Sequence, residues 1–520
     1  MSLPRLHKDD PAADVVLLLE GTYPMVRGGV AGWVDQLIRG LATTRFAIVF
    51  LGSRPEDYEG VRYELPDNVV HLECHYLMGD EDIHAQHQVQ NLPRMKGKGC
   101  PMAFAASREL HDNLKTGDAA PEDLARVSRL LEAPGGLSRK DFLHSRLAWE
   151  EIVRHYENDY TETSFLHYFW SVRNMHAPMF KLASLARQLP RGRSLHAIST
   201  GYAGFLGAMA HHHTGAPLQI TEHGIYTKER HIDLLEASWI RTPTDPLSHG
   251  LRSDSGYLRE LWVRFFQSLG RMTYAAASDV TTLYAGNQQR QLRDGVTAEK
   301  SSIIPNGIQL ERFRRLRERT RQGREQGRIV LIGRVSPIKD IKTFIRSLRH
   351  LLVKMPHAQG VVVGPSDENP VYAKECHSLA QQLMLDDHLT FLGFQDIDEV
   401  LASASLIVLT SISEAQPLVV LEALAAGVPV VTTDVGACRE MLLGDGSPEQ
   451  AAGRVVPIAS PERVAEAAAE LLNDPLAWQS ARDVGIERVE REYSDTLMLS
   501  RYQALYERAQ RAEMTVAEEV

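Results

Sequence analysis

Cysteine is scarce in this 520-residue chain: there are four, Cys74, Cys100, Cys376 and Cys438, and none sits in a C-x-x-C pair. So few thiols in so long a chain read as a reducing compartment. Long apolar runs are missing too. The longest early one, Val15 to Leu19, is far short of the ~20 residues that span a bilayer. The opening stretch MSLPRLHKDDPAAD carries no apolar h-region before Asp14. Positive charge is in deficit, with 57 Lys and Arg against 67 Asp and Glu and a net charge of −10. Such a balance argues against wrapping duplex nucleic acid, whose binding rests on phosphate neutralisation by cations. Glycine (37) and proline (25) hold ordinary shares, which excludes collagen-like and low-complexity chains. No Gly-Lys-[Ser/Thr] occurs, so there is no Walker A loop. The expectation is a soluble cytoplasmic protein without a nucleic-acid partner.

What is present is average globular material, 43% hydrophobic and 24% charged, in a chain long enough for two to four domains. Short β-branched runs alternate with amphipathic stretches. VVLLLE, FAIVFLG, LHAIST, LQITEH and DVTTLY form one series; RIVLIG, VVVG, LTFLGF, LIVLTS and VPVVTT form another. Strands alternating with 10–15-residue helices argue for parallel, doubly wound α/β sheets. The break near 305–328 separates two Rossmann-like domains, an N-terminal one over 1–304 and a C-terminal one over 305–490. Residues 80–165 lack strand-like runs and are predicted to be a mostly helical insertion in the first. The stretch 491–520 is predicted to be a helix crossing back to the N-terminal domain.

Three motifs carry chemistry. Arg27-Gly28-Gly29-Val30-Ala31-Gly32-Trp33 follows the first strand and opens a helix. Adjacent glycines let backbone N–H groups approach an oxyanion, and a helix N-terminus adds about half a positive charge; a tight turn explains the glycines equally well. Gly333-Arg334-Val335-Ser336-Pro337-Ile338-Lys339-Asp340 ends the first strand of the second domain. Ligands of open α/β sheets bind beyond the carboxyl ends of the strands, so Arg334 and Lys339 would both face that crevice and suit a diphosphate. In Ser413-Glu414-Ala415-Gln416-Pro417-Leu418-Val419-Val420-Leu421-Glu422, Pro417 suits a first helical turn. The N–H groups of Leu418 and Val419 then form a second anion site. Glu414 and Glu422, eight positions apart, could contact the polyol ends of one ligand.

Together with Ile304-Pro305-Asn306-Gly307-Ile308 and the Ala-Leu-Ala-Ala-Gly-Val-Pro-Val-Val after Glu422, these residues resemble the retaining glycosyltransferases of family 4. The match is dense over 300–480, and the Gly28-Gly29 loop carries it into the N-terminal domain. Residues 20–24, 221–230 and 413–419 are most similar to the branch of that family serving Pel exopolysaccharide synthesis. The resemblance implies a GT-B fold, two Rossmann-like domains facing a cleft. It implies a UDP-hexose or UDP-N-acetylhexosamine donor, a growing polysaccharide acceptor and inner-membrane export proteins as partners, with recruitment to the membrane's inner face. Gly28 and Gly29 would approach the donor phosphates, His223 would lie near the donor sugar, and Arg334 and Lys339 would neutralise the leaving diphosphate. Glu414 would contact the transferred sugar and Glu422 the ribose. No cofactor or metal is required on this reading. Ala415-Gln416-Pro417 departs from the Gly-containing family pattern, and Asp340 stands where Gly often follows the lysine. Two rivals are an ADP-glucose-dependent glycogen or starch synthase and a non-catalytic nucleotide-sugar-binding subunit of a membrane complex.

Asp80-Glu81-Asp82 and Asp396-Ile397-Asp398 fit a D-x-D metal motif formally; the second reads as a helix cap. His211-His212-His213 ends a helix, where the dipole favours it, and Gly201-x-x-Gly204-x-x-Gly207 reads as close helix packing. Residues 312–328 hold eight Arg against two Glu, a solvated segment or a polybasic stripe for an anionic membrane.

Overall fold

Strand β1 (Ala13–Glu20) buries Val15 to Leu19 completely on both faces, as a strand covered on two sides must. The computed structural model describes residues 3–78, 100–116, 121–159, 164–229, 254–444, 446–447 and 450–518. Asp80-Glu81-Asp82 and the first part of the expected insertion lie outside them. β1 pairs in parallel with β2 (Phe46–Gly52) and β4 (Gly192–Ala197), with Val16 opposite Ala47 and Leu195. With β3 (Val69–Tyr76), β5 (Leu218–Glu222), β6 (Asp279–Thr282) and β7 (Ser301–Ile303) the order is β3-β2-β1-β4-β5-β6-β7. Order reverses between β1 and β4. The helix Tyr202–Thr214 is apolar nearly all round over Ala203–Ala210, all of which are buried. A Cβ on Gly207 would lie 2.7 Å from Leu218, and one on Gly204 2.4 Å from the Ser199 carbonyl oxygen. The glycine triplet is therefore a close-packing device.

Among the described residues, five helices run between β3 and β4: Pro101–Thr116, Pro121–Leu130, Arg139–His144, Arg146–Asp159 and Phe165–Ala186. The insertion is mostly helical where it is described, with turns and a Leu131–Leu137 bridge over 131–138, and its last helix runs past 165, the expected limit, to Ala186.

The second sheet is parallel throughout, in the order β10-β9-β8-β11-β12-β13. Its strands are β8 (Arg328–Ile332), β9 (Gln359–Val363), β10 (Leu389–Gly393), β11 (Leu406–Leu409), β12 (Val430–Thr433) and β13 (Gly453–Val456). Apolar cores lie on both its faces. Helix Ile341–Lys354 shows why: Ile341, Phe344, Ile345, Leu348, Leu351 and Leu352 form one buried stripe at helical spacing.

The chain divides into two compact units. The first holds residues up to Thr282, 288–302 and those from Gln503 on; the second holds Leu283–Asn287 and Ile303–Tyr502. Two details differ from the expected boundaries. Leu283–Asn287 group with the second unit, where the Ala285 N–H donates to Glu440 Oε2 at 3.3 Å. The terminal helix Asp495–Glu518 is shared, its unit changing at Gln503. Inside the first unit, Tyr506 of that helix hydrogen-bonds Nδ1 of the buried His196 at 2.7 Å.

The arginine stripe is not a free polybasic surface. Helix Leu310–Gly323 sends Arg312 to Asp398 (2.6 Å), Arg317 to Glu490 (2.8 Å) and Arg319 to Glu399 (2.7 Å). Among the described residues no helix is long and apolar enough to cross a membrane.

Burial pushes the His196 ring down to about 3. Between that value and the ~6.5 of an unfolded histidine, the unfolded chain binds more protons, so stability falls as pH drops through this window. Thermal unfolding midpoints are expected to fall on acidification from pH 7 to pH 4, with His196 contributing up to about 1.4 kcal/mol per pH unit. His196→Asn should flatten that slope; an unchanged slope would remove His196 from the account.

Candidate functional site

In the second unit the strand order reverses between β8 and β11, the position where open sheets bind ligands. The loop after β8 carries Lys339 and the loop after β11 carries Glu414. Hydrogen bonds to main-chain oxygens join the two loops: Thr410 Oγ1 donates to the carbonyls of Lys339 (3.1 Å) and Asp340 (2.9 Å), and the Ile412 N–H donates to that of Ile338 (2.9 Å). Lys339 Nζ donates to Glu414 Oε1, which also accepts from Ser411 Oγ at 2.6 Å. The lysine stem passes 3.6 Å from where a Gly333 Cβ would stand. Asp340 has φ +43° and caps helix Ile341–Lys354 by accepting from the Thr343 N–H. A left-handed residue here explains why glycine suits the position, and Asp tolerates that region better than most side chains.

Arg334 does not join Lys339. Its guanidinium donates to both Glu368 oxygens (2.6 and 2.7 Å), and both side chains are half exposed. The expectation of two fixed cations at one point is corrected to one half-buried lysine and one surface arginine, because Glu368 after β9 captures the arginine. Helix Leu418–Ala426 begins one residue later than expected, with Pro417 as its cap at φ −70°, ψ 116°. Pro417 lacks an N–H in any case, and the N–H groups of Leu418 and Val419 remain the helix's first donors. Glu422, one turn further in, accepts no hydrogen bond from any described residue. Burial raises its carboxyl against the pull of Arg312.

Sequence reading treated Gln416 only as a departure from the family pattern. Its Oε1 accepts the Asn306 N–H at 2.7 Å, tying the Glu414 loop to the Ile304–Ile308 motif. Gly436, at φ +54°, lies so close that a Cβ would meet the Ala415 carbonyl at 2.2 Å, and the neighbouring Ala437 N–H donates to that same oxygen at 2.7 Å.

In the first unit, Gly28 caps helix Gly29–Gly40. A Cβ on either Gly28 or Gly29 would meet nothing within 4 Å, and neither lies in the left-handed region, Gly28 being extended at φ 169°. Nothing in the protein itself therefore requires glycine at these two positions. Trp33 of this helix meets His223 edge-on at 4.6 Å. Burial pushes His223 down to about 4, so its ring is neutral at physiological pH.

Two carboxylates here escaped the sequence reading. Glu20, at the end of β1, accepts from the Ala203 N–H (3.2 Å) and Tyr226 Oη (3.1 Å). Glu222, at the end of β5, is 1% exposed and accepts from Thr200 Oγ1 (2.9 Å), Gln291 Nε2 (2.9 Å) and Tyr274 Oη. Burial raises its carboxyl despite these donors. Each closes a strand-like run, LLLE and LQITE, a signal that was there to be read.

No group of three His, Cys, Asp or Glu that could hold a metal ion occurs among the described residues. Asp396 caps helix Ile397–Ser403 by accepting the Asp398 N–H at 2.8 Å.

Residues 13–299 match the family described as Domain of unknown function (DUF3492), and residues 313–488 the family described as Glycosyl transferases group 1. The MMP alpha-(1->4)-mannosyltransferase of Mycolicibacterium hassiacum is 24% identical over 299 residues, 57% of this chain and 66% of its own. The chain thus spans just under two thirds of that relative's length. Among solved structures, the sucrose-phosphate synthase of Thermosynechococcus elongatus is 17% identical with a TM-score of 0.54, covering 96% of this chain and 99% of its own. HepE of Anabaena, solved in complex with UDP, is 14% identical with a TM-score of 0.52, covering 94% and 98%. At such identities the likeness is one of fold, and that fold is GT-B, with two parallel-sheet Rossmann-like units.

Proposed function

We propose a function on the premise that this chain belongs to the DUF3492 family, its remainder matching group 1 glycosyl transferases. The chain is a retaining glycosyltransferase that moves a hexose or N-acetylhexosamine from a UDP-sugar to a growing Pel-type exopolysaccharide, working with inner-membrane export proteins. The observation that carries glycosyl transfer is the Lys339–Glu414 pair at the β8/β11 reversal. A diphosphate leaving group gains charge as the glycosidic bond breaks, and a partly desolvated ammonium beside a helix N-terminus stabilises that charge. Arriving phosphate oxygens would take Lys339 from Glu414, freeing the carboxylate for sugar hydroxyls. The N–H groups of Leu418 and Val419 would bind the other phosphate oxygens. The open surface over Gly28 and Gly29 suits close approach of donor phosphates. The UDP base and the Pel-type product rest on the resemblance of residues 20–24, 221–230 and 413–419.

The test is nucleotide release by the purified chain across UDP-, ADP- and GDP-sugars, followed by the anomeric configuration of the product. Release from UDP-sugars with retention supports the reading. Preference for ADP-glucose points to the starch and glycogen synthase class, and no release from any donor overturns catalysis.

Two further outcomes follow from the same geometry. Turnover is expected to survive EDTA, since Lys339 and the helix N-terminus supply the positive potential; loss on chelation, restored by Mn²⁺ or Mg²⁺, would sink the idea. Glu422→Ala is expected to raise the donor KM about tenfold with kcat nearly kept, because ribose hydroxyls do not change during the reaction. A fall in kcat at unchanged KM would place Glu422 elsewhere.

A further inference from the structure

The Glu414 carboxylate accepts from two groups among the described residues, Lys339 Nζ and Ser411 Oγ, and both reach the same oxygen, Oε1. Only one of them is built to stay. On the proposed reading of this site the arriving diphosphate takes the lysine, and Glu414 meets the sugar hydroxyls with a single donor left. Ser411 Oγ stands 2.6 Å from Oε1, the separation of a hydroxyl donating to an ionised carboxylate. Ser411 is fully buried, so neither water nor an incoming phosphate competes for its hydroxyl.

The main chain around this serine is held from both sides. Its neighbours Thr410 and Ile412 are the residues bonded to the Lys339 loop. Its own carbonyl accepts from Thr433 Oγ1, at the end of β12, at 2.6 Å. Past the glutamate, the Gly436 backbone presses close: a Cβ there would stand 2.4 Å from the Glu414 carbonyl oxygen. What these contacts leave unfixed is the Glu414 side chain, whose staggered torsions carry the carboxylate away from its own backbone. A glutamate released at its tip samples several rotamers, and ordering it again costs side-chain entropy. Ser411 is placed to prevent that release.

We propose that Ser411 is a positioning residue for the transfer: its hydroxyl keeps the Glu414 carboxylate aimed at the sugar after the donor has drawn Lys339 away. The inference rests on the glycosyl-transfer reading of this site and adds a residue to it. Ser411 touches no substrate and acts through Glu414 alone. Its effect therefore belongs to the step in which Glu414 acts, and it vanishes when Glu414 is absent.

Steady-state kinetics of Ser411→Ala, Glu414→Ala and the double variant of the full chain, with UDP binding by calorimetry, test this. Ser411→Ala is expected to lower kcat about tenfold, with UDP affinity kept and circular dichroism unchanged. In the Glu414→Ala background the same change should lower kcat no further, whereas a serine that merely holds the loop together would cost as much in either background. A second measurement needs no turnover. Lys339→Met removes the ammonium as the diphosphate is expected to, and a crystal structure of that variant should show Glu414 Oε1 still within about 3 Å of Ser411 Oγ. In Lys339→Met/Ser411→Ala the carboxylate should leave that place or spread over more than one rotamer. A parent chain without nucleotide release would sink glycosyl transfer and not the serine's hold on the carboxylate, which the two structures decide alone. The proposal is overturned if Ser411→Ala keeps the kcat of an active parent, if its loss adds in full to that of Glu414→Ala, or if the carboxylate of Lys339→Met turns away from the serine.

Discussion

Replacing Lys339 by alanine is expected to lower kcat roughly 10- to 150-fold at saturating donor, the equivalent of about 1.5–3 kcal/mol for one charge-assisted contact. The Lys339 side chain is only 18% exposed and that of its partner Glu414 13%, so solvent does little to screen the interaction. Its partner changes along the proposed reaction. Without donor it holds Glu414; with donor it faces phosphate oxygens whose charge grows as the sugar leaves. A contact that strengthens on the way to the transition state acts on kcat, whereas one equally strong throughout acts on KM. Lys339→Arg should recover part of the rate, since it keeps the charge but changes the donor geometry. Glu414→Gln should leave UDP affinity largely intact while cutting kcat. Steady-state kinetics of the three variants decide: a Lys339→Ala enzyme with parental kcat and only a raised KM would make the lysine a binding group.

The strands and the sheet type were legible because runs such as Val15–Leu19 and Ile329–Leu331 are apolar at every position, which happens when both faces of a parallel sheet are covered. Lys339 and Glu414 were legible one at a time, by the spacing within their motifs. Their pairing was not, because 75 residues separate them and only the adjacency of β8 and β11 brings their loops together. The ion pairs of the arginine stripe were hidden for the same reason. Counting charges along 312–328 cannot reveal that Asp398 stands 86 residues away in sequence and 2.6 Å away in space. Arg334 was drawn to Lys339 by nearness in the chain, while Glu368 on the next loop won it. The insertion was legible as mostly helical from its lack of strand-like runs, but that says nothing of how the helices' faces meet. Whether those faces close against one another or leave a cavity depends on side-chain volumes meeting in three dimensions.

Glu222→Ala is expected to be the most destabilising single change at the first unit's site, at about 3–5 kcal/mol. The alanine would leave Thr200 Oγ1, Tyr274 Oη and Gln291 Nε2 as buried donors without their acceptor, and it would open a void at the end of β5. Glu222→Gln should behave very differently. One amide oxygen can keep Thr200 Oγ1 and the Tyr226 N–H, which donates to the same carboxylate oxygen at 3.4 Å, while Tyr274 can accept from the new NH₂ and the Gln291 amide can turn to offer its oxygen. Burial already favours the uncharged form of this carboxyl, so a neutral isostere removes a desolvation cost as well. The sign of the pH effect is opposite to that of His196. A carboxyl raised on folding contributes stability that is fully present below its unfolded value of about 4.3 and is lost as pH rises through the folded value. Above that point Glu222→Gln should equal or exceed the parent in stability, while Glu222→Ala melts lower at every pH. Thermal unfolding of the two variants between pH 4 and pH 8 measures both effects. A glutamine variant as unstable as the alanine one would mean that the full negative charge, and not the hydrogen-bond acceptor, holds Tyr274 and Gln291 at the end of β5.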